Sequence, residues 1–279
     1  MLFRSVYVAD DEPQTAGPTG HHPKMNNASH RRVTVSGTAL TLTGATEVGV
    51  PAVQAWRDHG LGLNTPDPAV TIQQVDVPSE GRFWVGHRVT DNGNGTWRFD
   101  YAVFNLNSHA SGGSFSIPVP SGVAVTDVGF RDVNYHSGEP YDNSDWIIQT
   151  TGGSVTWRSP QTFVQNPNSN ALRWGTMYNF WFTADQPPVD GDAVLGLFRP
   201  HTPDSVSFGV GVPGGGGCST DWNSDDLVNS NDISAFLTSW IDSVNQGNLV
   251  ADFNGDMSVN STDIAAFLTA WIDELTNGC

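Results

Sequence analysis

The chain has 279 residues and a net charge of −17 at pH 7, with only 15% charged residues but 30 Gly, 17 Pro and 10 Trp. This length is enough for one or two domains, and the composition favours an all-β domain with many turns over a helical bundle. The acidic balance excludes a nucleic-acid-binding protein, which needs a basic surface. No apolar run approaches the ~18 residues that a membrane-spanning helix requires, so we expect no transmembrane segment.

The first 32 residues show no sustained hydrophobic periodicity and are rich in polar and turn-forming residues. We therefore expect residues 1–32 to be a disordered or processed segment. His21, His22 and His30 could supply ligands to a metal ion, but we interpret them as solvated side chains. The opening residues MLFRSVYVADDEP contain no apolar stretch of the length that a secretory signal peptide needs, so no signal peptide is visible in this chain.

Residues 33–210 are expected to form an antiparallel β-sandwich of eight to ten strands, because short runs with strand-like composition alternate with turn signals. The strongest hairpin signal is the sequence NGNG at residues 92–95. A second hairpin is expected to turn at Gly152 and Gly153. Residues 52–63 are expected to hold one short helix. The other segments with strand patterns are residues 33–44, 115–130, 171–185, 193–200 and 205–212.

Residues 130–146, FRDVNYHSGEPYDNSDW, combine carboxylates with aromatic rings. Such a group suits a sugar-binding site or a further calcium site, and a glycoside hydrolase needs two carboxylates at a set distance. Spacing along a loop does not establish that distance, so we interpret the segment as a long ordered connection. Its polar and aromatic side chains are Asp132, Tyr135, His136, Glu139, Tyr141, Asp142, Asp145 and Trp146. Trp174 and Trp181, in the segment ALRWGTMYNFWF, are interpreted as core residues of a buried strand.

The sequence GVPGGGG at residues 211–217 predicts a flexible linker, after which the composition changes. Residues 218–279 hold ten Asp or Glu residues and no Lys or Arg, so this tail favours a bound cation. Cys218 and Cys279 bracket it, which favours a disulfide bond over two free thiols. Such a bond would close a loop of about 62 residues, stabilise it by roughly 4 kcal/mol and indicate an oxidising compartment. A bond from Cys279 to another molecule remains an alternative.

Two segments of the tail, DWNSDDLVNSND and DFNGDMSVNSTD, repeat one pattern 31 residues apart. In a twelve-residue calcium loop, positions 1, 3 and 5 supply side-chain oxygens, position 7 supplies its backbone carbonyl and position 12 supplies a carboxylate. Position 9 often binds the ion through a water molecule. The pattern therefore predicts two Ca²⁺ sites. The first would use Asp221, Asn223, Asp225, the carbonyl of Leu227, Asn229 and Asp232. The second would use Asp252, Asn254, Asp256, the carbonyl of Ser258, Asn260 and Asp263.

Each loop runs into a predicted amphipathic helix, ISAFLTSWID in the first copy and IAAFLTAWID in the second. Apolar residues recur at helical spacing, so the two helices can bury one stripe each against the other. The first stripe is Ile233, Phe236, Leu237, Trp240 and Ile241, and the second is Ile264, Phe267, Leu268, Trp271 and Ile272. Two short helices need further support, which calcium and a disulfide can supply.

The loops depart from the standard calcium-loop pattern at two positions. Position 12 is Asp rather than Glu in both copies. Position 6, where Gly usually provides a positive φ, is Asp226 in the first copy and Met257 in the second, and Gly255 at position 4 compensates only in part. One or both loops could therefore bind calcium weakly, and loops that cap the helices without a metal remain an alternative.

On these residues the tail resembles a dockerin domain, and specifically the GC-type dockerins, in which Cys residues flank two segments of calcium loop plus helix. Here GGC at residues 216–218 and NGC at residues 277–279 stand at the two ends. The resemblance covers residues 218–279; the N-terminal domain resembles no characterised family. It implies two bound Ca²⁺ ions, an extracellular or cell-surface location and a cohesin-like partner. In the family, loop positions 10 and 11 help to select the partner, and here they are Ser230, Asn231, Ser261 and Thr262.

We expect an extracellular protein whose tail attaches a non-catalytic β-sandwich to a cohesin-type scaffold or a cell surface. The sandwich has no G-x-S-x-G, H-E-x-x-H or phosphate-loop motif and no cysteine nucleophile. One alternative is a polysaccharide-degrading enzyme of the glycoside hydrolase type, or a carbohydrate-binding accessory, delivered by its dockerin. Another is an extracellular structural protein that assembles with its own copies. A third keeps calcium purely structural, with no partner.

Overall fold

The computed structural model describes residues 28–120, 122–135, 138–150, 153–214, 218–223, 225 and 227–277. This part of the chain contains twelve strands and three helices. The strands are β1 Ser29–Ser36, β2 Ala39–Val48, β3 Thr71–Val77, β4 Gly81–Asp91, β5 Trp97–Asn105, β6 Gly112–Pro118, β7 Val125–Arg131, β8 Ile147–Thr150, β9 Ser154–Arg158, β10 Met177–Ala184, β11 Pro188–Leu197 and β12 Ser205–Pro213. The helices are α1 Gln54–Asp58, α2 Ser230–Gln246 and α3 Ser261–Asn277.

The described residues form two antiparallel five-stranded sheets, with strand orders β3-β4-β5-β10-β7 and β12-β11-β6-β9-β8. The sheets share one core, because strands of both contribute to a single buried cluster. In β10 the burial alternates strictly, so that Tyr178, Phe180 and Phe182 point inward while their neighbours do not. The expectation of a mainly β, antiparallel domain is confirmed.

The two hairpins predicted from turn residues are confirmed. β4 pairs with β5 across residues 92–95, where Gly93 and Gly95 both take a positive φ. β8 pairs with β9, and Gly153 at their turn has φ 79°, whereas Gly152 lies outside the described residues. Strand β3 is absent from the predicted set, although it pairs along its length with β4.

The prediction of a buried strand through residues 171–176 is wrong. β10 begins only at Met177, because the chain turns at Gly175 with φ 72° and Thr176 donates its backbone N–H to the carbonyl of Arg173. Trp174 lies in this turn and is 41% exposed, so it is not a core residue. Trp181 on β10 is half-buried, on the face of the sheet opposite the core.

Two strands extend past the predicted limits of the β domain, residues 33 and 210. β1 begins at Ser29 rather than at residue 33 and pairs with β2, and within it His30 is buried instead of solvated. His21 and His22 lie outside the described residues. β12 extends to Pro213 because its backbone continues to pair with β11, so residues 211–213 belong to the sheet rather than to a linker. Residues 215–217 lie outside the described part of the chain.

The helix expected within residues 52–63 is confirmed but spans only Gln54–Asp58. The chain then turns back, and the Asp67 N–H donates to the carbonyl of Arg57 at 2.7 Å. Trp56 packs on the outer face of the first sheet beside Gly86, where a Cβ atom would lie 3.1 Å from the ring. This packing holds the segment that follows β2 against β3 and β4.

The aromatic residues of segment 130–146 anchor it to the sandwich. Trp146 is buried and donates its indole N–H to the Asn170 carbonyl at 2.9 Å, and the Tyr135 hydroxyl donates to the Ala171 carbonyl at 2.8 Å. The Tyr141 ring lies 4.4 Å from the guanidinium of Arg173. These contacts agree with its interpretation as an ordered connection, although His136 lies outside the described residues.

The tail is built around a stack of two phenylalanine rings. Phe236 on α2 and Phe267 on α3 are fully buried, with ring centroids 4.1 Å apart and an interplanar angle of 2°. Trp222 meets both rings edge-on. Most of the predicted stripe residues pack together, but the packed cluster ends at Trp240 and Trp271, so Ile241 and Ile272 are exposed. None of the helices in the described residues combines the length and apolarity of a membrane-spanning helix.

Candidate functional site

The first tail loop brings three carboxylates together. Oxygen atoms of Asp221, Asp225 and Asp232 lie within 4.8 Å of one another. The loop is wound tightly by its own side chains: the Asp225 N–H donates to Asp221 Oδ1 at 3.0 Å, and the Leu227 N–H donates to Asp225 Oδ1 at 3.0 Å. The sequence predicted this convergence, since alternate positions of a tight turn point to its inside.

Asp232 is the structural centre of this loop. It is fully buried and lies in the first turn of α2, where Oδ2 accepts the Asn229 N–H at 2.8 Å and Oδ1 accepts the Asn223 N–H at 3.3 Å. Asn229 returns the contact by capping the helix through its side chain, which accepts the N–H of Asn231. The cap fixes the carboxylate at position 12 before any ion binds.

The electrostatics of the first loop favour a cation. Carboxylates at this separation repel one another, and residues 218–279 contain no Lys or Arg to offset the repulsion. Amide and carbonyl oxygens lie in the same loop: the Leu227 carbonyl accepts the Asn229 side-chain N–H at 3.1 Å, and Asn223 Oδ1 accepts the Asp225 N–H at 3.0 Å. An all-oxygen set of this kind suits a hard divalent cation.

The second loop repeats the winding. The Asp256 N–H donates to Asp252 Oδ1 at 3.1 Å, and the Ser258 N–H donates to Asp256 Oδ1 at 2.9 Å. Asp263 accepts the N–H groups of Asn260 at 2.8 Å and Asn254 at 3.2 Å, as Asp232 does in the first copy. The two loops therefore share one pattern of side-chain-to-backbone hydrogen bonds.

The carboxylates of the second loop are spread more widely. Within the described residues, Asp252, Asp256 and Asp263 do not gather within the 4.8 Å that encloses the first set. Asp252 is turned toward the backbone, because Oδ2 accepts the Met257 N–H at 2.8 Å while Oδ1 accepts that of Asp256. Both carboxylate oxygens of Asp252 therefore accept backbone hydrogen bonds, whereas in the first loop Asp221 Oδ1 accepts the Asp225 N–H.

Backbone donors keep Asp263 ionised. Burial acts to raise the pKa of this carboxyl, but the N–H groups of Asn260, Asn254 and Phe253 outweigh burial and hold the pKa below its ordinary value. A carboxylate held in this way is already deprotonated at neutral pH and can act as an oxygen ligand without a change of charge.

Position 6 of the second loop has the backbone conformation that normally selects glycine. Met257 has φ 65°, in the left-handed region, and its side chain is 82% exposed. Gly255, two residues earlier, has φ 73°. Met257 thus takes the left-handed conformation that glycine normally provides at position 6, at the conformational cost that the sequence predicts from the missing glycine. Asp226, its counterpart in the first loop, lies outside the described residues.

Each loop is tied to the helix of the other repeat. The indole N–H of Trp271 on α3 donates to the Asn229 carbonyl at 3.0 Å, and that of Trp240 on α2 donates to the Asn260 carbonyl at 2.9 Å. The sequence predicts both tryptophans only as members of apolar stripes, not as hydrogen-bond donors. Their identical position in the two repeats is the feature that could have indicated the polar role.

The four predicted partner-selecting residues are exposed. Ser230 and Asn231 open α2, and Ser261 and Thr262 open α3. The same helix faces continue to exposed apolar side chains at equivalent positions of the two repeats. These are Ile241 and Val244 on α2, with Ile272 and Leu275 on α3.

The start of the tail is tied to its last helix. Cys218 is disulfide-bonded, whereas Cys279 lies outside the described residues. Ser219 and Thr220 follow Cys218 in the chain. Glu274 on α3 accepts hydrogen bonds from the backbone N–H and the hydroxyl of both residues. Burial acts to raise the pKa of Glu274, but these donors outweigh it and hold the pKa below the ordinary value. The sequence reasoning did not identify this contact.

The sandwich carries a cleft of about 490 Å³ on the outer face of the first sheet. Trp56 and Trp181 line it together with Arg88, Asp100 and Asn179. Asp132, from the predicted loop, lines a different cleft beside Thr176 and Met177. The structure therefore does not gather the carboxylates of segment 130–146 at the cleft that holds the two tryptophans.

No family model, curated protein or solved structure matches this chain.

Proposed function

We propose that residues 218–279 form a calcium-binding, dockerin-like module that attaches the β-sandwich to a cohesin-type protein module on an extracellular scaffold or cell surface. The observation that carries this proposal is the convergence of Asp221, Asp225 and Asp232, backed by a buried helix cap, in a tail that has no basic residue. Calcium would occupy this set and the equivalent set of the second loop.

The duplicated surface supports the attachment role. Exposed polar side chains at the start of each helix are followed by an exposed apolar pair on the same helix, at matching positions of the two repeats. A partner that recognises one face meets nearly the same chemistry on the other. Binding in two orientations related by the repeat is the expected consequence. Calcium contributes by fixing the loops from which both faces begin.

A pull-down with the full chain as bait, in calcium and in chelator, tests the proposal. A cohesin-like protein recovered from the extracellular fraction only with calcium, and lost when Ile241 and Ile272 are both replaced by Ser, supports attachment. Recovery of the chain itself supports assembly with its own copies instead. If the chain binds calcium but recovers no protein, calcium has only a structural role and the attachment proposal fails.

The cleft beside Trp56 and Trp181 supports a second candidate function, a carbohydrate-binding accessory. Two half-buried indole rings line this cleft together with a guanidinium, a carboxylate and an amide, so apolar and polar groups are offered in one pocket. Arg98 stacks on Trp181 at 5.3 Å and holds its ring on the surface of Gly129. Affinity electrophoresis in soluble polysaccharides tests this role, with retardation expected to fall in Trp181→Ala and to persist in the exposed control Trp174→Ala.

A further inference from the structure

A second cluster of ligand-type side chains lies at the base of the N-terminal hairpin, outside the tail. His30 on β1 and Glu47 on β2 are directly opposite in the antiparallel register, and His59 follows α1. One ligand atom from each lies within 4.8 Å of the other two. Glu47 Oε1 is 3.8 Å from His30 Nε2 and 3.5 Å from His59 Nε2.

His30 is held in the tautomer that a metal ligand requires. Its Nδ1 lies 3.1 Å from the Val50 carbonyl oxygen, and because a carbonyl only accepts, Nδ1 carries the hydrogen. Nε2 then presents a lone pair. An imidazole that donates to a backbone carbonyl through its second nitrogen is the usual arrangement of a metal-bound histidine.

The lone pair of His30 points into the cluster without a partner. The side chain is 94% buried, and Nε2 has no hydrogen-bond partner among the described residues. A buried acceptor without a partner is costly, because it has lost its hydrogen bonds to water and gained none in exchange. The groups that face Nε2 are the Glu47 carboxylate and the His59 ring, both of which can share a cation with it.

His59 completes the set and is adaptable. Its Nδ1 accepts the Asn64 N–H at 3.0 Å, which places the ring hydrogen on Nε2. Binding a metal through Nε2 moves this hydrogen to Nδ1 and releases the Asn64 N–H to water, which is accessible because Asn64 is exposed. The adjustment is confined to one surface turn.

We propose that His30, Glu47 and His59 bind one transition-metal ion of the zinc class. Two imidazole nitrogens and one carboxylate oxygen are a ligand set of zinc sites that leave a fourth position for water. Ligands of a tetrahedral zinc lie roughly 3.3–3.6 Å from one another, given bonds of about 2.0–2.2 Å. Glu47 is 45% exposed, so water can reach the fourth position. Calcium prefers oxygen ligands, so this site and the tail loops select different metals.

The ion would fasten the hairpin to the body of the protein. β1 and β2 form a separate two-stranded sheet whose side chains are mostly exposed, and an isolated hairpin is only marginally stable. His59 belongs to the segment that packs on the first sheet through Trp56. A shared metal therefore joins the two.

Zinc titration of the chelator-treated full chain by calorimetry, with calcium saturating the tail, tests the proposal. One zinc ion per chain is expected, with affinity reduced at least about tenfold in Glu47→Gln and His59→Gln. Glu47 and His59 are accessible side chains, so we expect both variants to fold. His30→Gln is not used as the main test, because His30 is buried and its replacement could destabilise β1. Cobalt in place of zinc should give the visible absorption of a tetrahedral site, and this absorption should disappear in the same variants.

Three matched variants separate this site from others. His109→Gln changes an exposed histidine elsewhere, the double variant His21→Gln with His22→Gln removes the other N-terminal histidines, and Asp232→Ala with Asp263→Ala removes the tail carboxylates. All three should bind zinc as the unaltered chain does. Absence of stoichiometric zinc binding, unchanged affinity in Glu47→Gln and His59→Gln, or loss of zinc only in one of these three variants would overturn the proposal.

Discussion

Trp240 donates its indole N–H to the backbone carbonyl of Asn260, 2.9 Å away in the loop of the other repeat. Trp271 makes the reciprocal bond to Asn229. The two accepting carbonyls stand at position 9 of their loops. Each helix therefore positions the candidate metal loop of the other repeat. Cooperative folding of the two repeats is the consequence, because neither loop has its full set of bonds without the other helix.

Replacing Trp271 with Phe should destabilise the tail by about 1–3 kcal/mol, since the half-buried Asn229 carbonyl loses its donor. Calorimetric unfolding, with the tail transition identified by its response to chelator, measures the loss. Trp84→Phe is the matched control, because the Trp84 indole N–H is buried without a partner in the described part of the chain. Equal stability losses in the two variants would contradict the role given to the crossed bond.

Removal of the position-12 carboxylates should abolish calcium-dependent stabilisation of the tail. Asp232→Ala is expected to have the larger effect on the tighter calcium site, because the first loop already gathers three carboxylates, and Asp263→Ala is expected to affect the weaker one. Melting temperatures with calcium and with chelator, together with calcium titration, measure both effects. The exposed Asp242→Asn on α2 controls for the loss of one negative charge. An unchanged difference in melting temperature in the double variant would refute the calcium assignment.

Met257→Gly should stabilise the second loop by about 1 kcal/mol and raise its calcium affinity, because the left-handed φ of Met257 is disfavoured for every residue with a Cβ atom. The exposed side chain gives up little packing. Met257→Ala keeps the Cβ atom and therefore serves as the control, with no gain expected. Calcium titration of the three proteins decides the matter, and a gain in Met257→Ala equal to that in Met257→Gly would refute the backbone explanation.

Glu274→Gln should lower the stability of the tail at neutral pH, because the charge-assisted hydrogen bonds to Ser219 and Thr220 weaken. The folded-state pKa of Glu274 lies below its ordinary value of 4.5, so its contribution is fully present above pH 4.5 and is lost as the pH falls through the folded-state pKa. Melting curves from neutral pH into this acid range should therefore converge for Glu274→Gln and the unaltered chain. Parallel curves over the whole range would show that Glu274 stabilises the tail by another route.

The sequence was informative where contacts are local. Calcium-type loops, the helices that follow them and the hairpin turns depend on residues separated by two to twelve positions, and their spacing can be read directly. The expected conformational problem at position 6 is likewise visible in the φ of Met257. The left-handed conformation of this turn follows from its own backbone geometry, so it could be anticipated without knowledge of the rest of the fold.

The sequence does not reveal which distant segments pair with one another. β6 and β7 follow one another in the chain, yet β6 pairs with β9 and β11 in one sheet while β7 pairs with β10 in the other. The sequence predicts a solvated His30 and carries no signal that links it to Glu47 and His59. Glu47 lies 17 positions after His30 and His59 lies 12 positions after Glu47, so no local periodicity links them.

The sequence by itself thus determined the mainly β domain, the acidic tail, the duplicated loop-helix units and the candidate calcium ligands, because repeats, composition and short-range spacing fix these. Only the tertiary structure decided the strand order of the two sheets, the crossed bonds of Trp240 and Trp271, and the meeting of His30, Glu47 and His59. The physical reason is that these features arise from chain segments brought together by burial of a common core, and burial depends on the packing of all the segments at once.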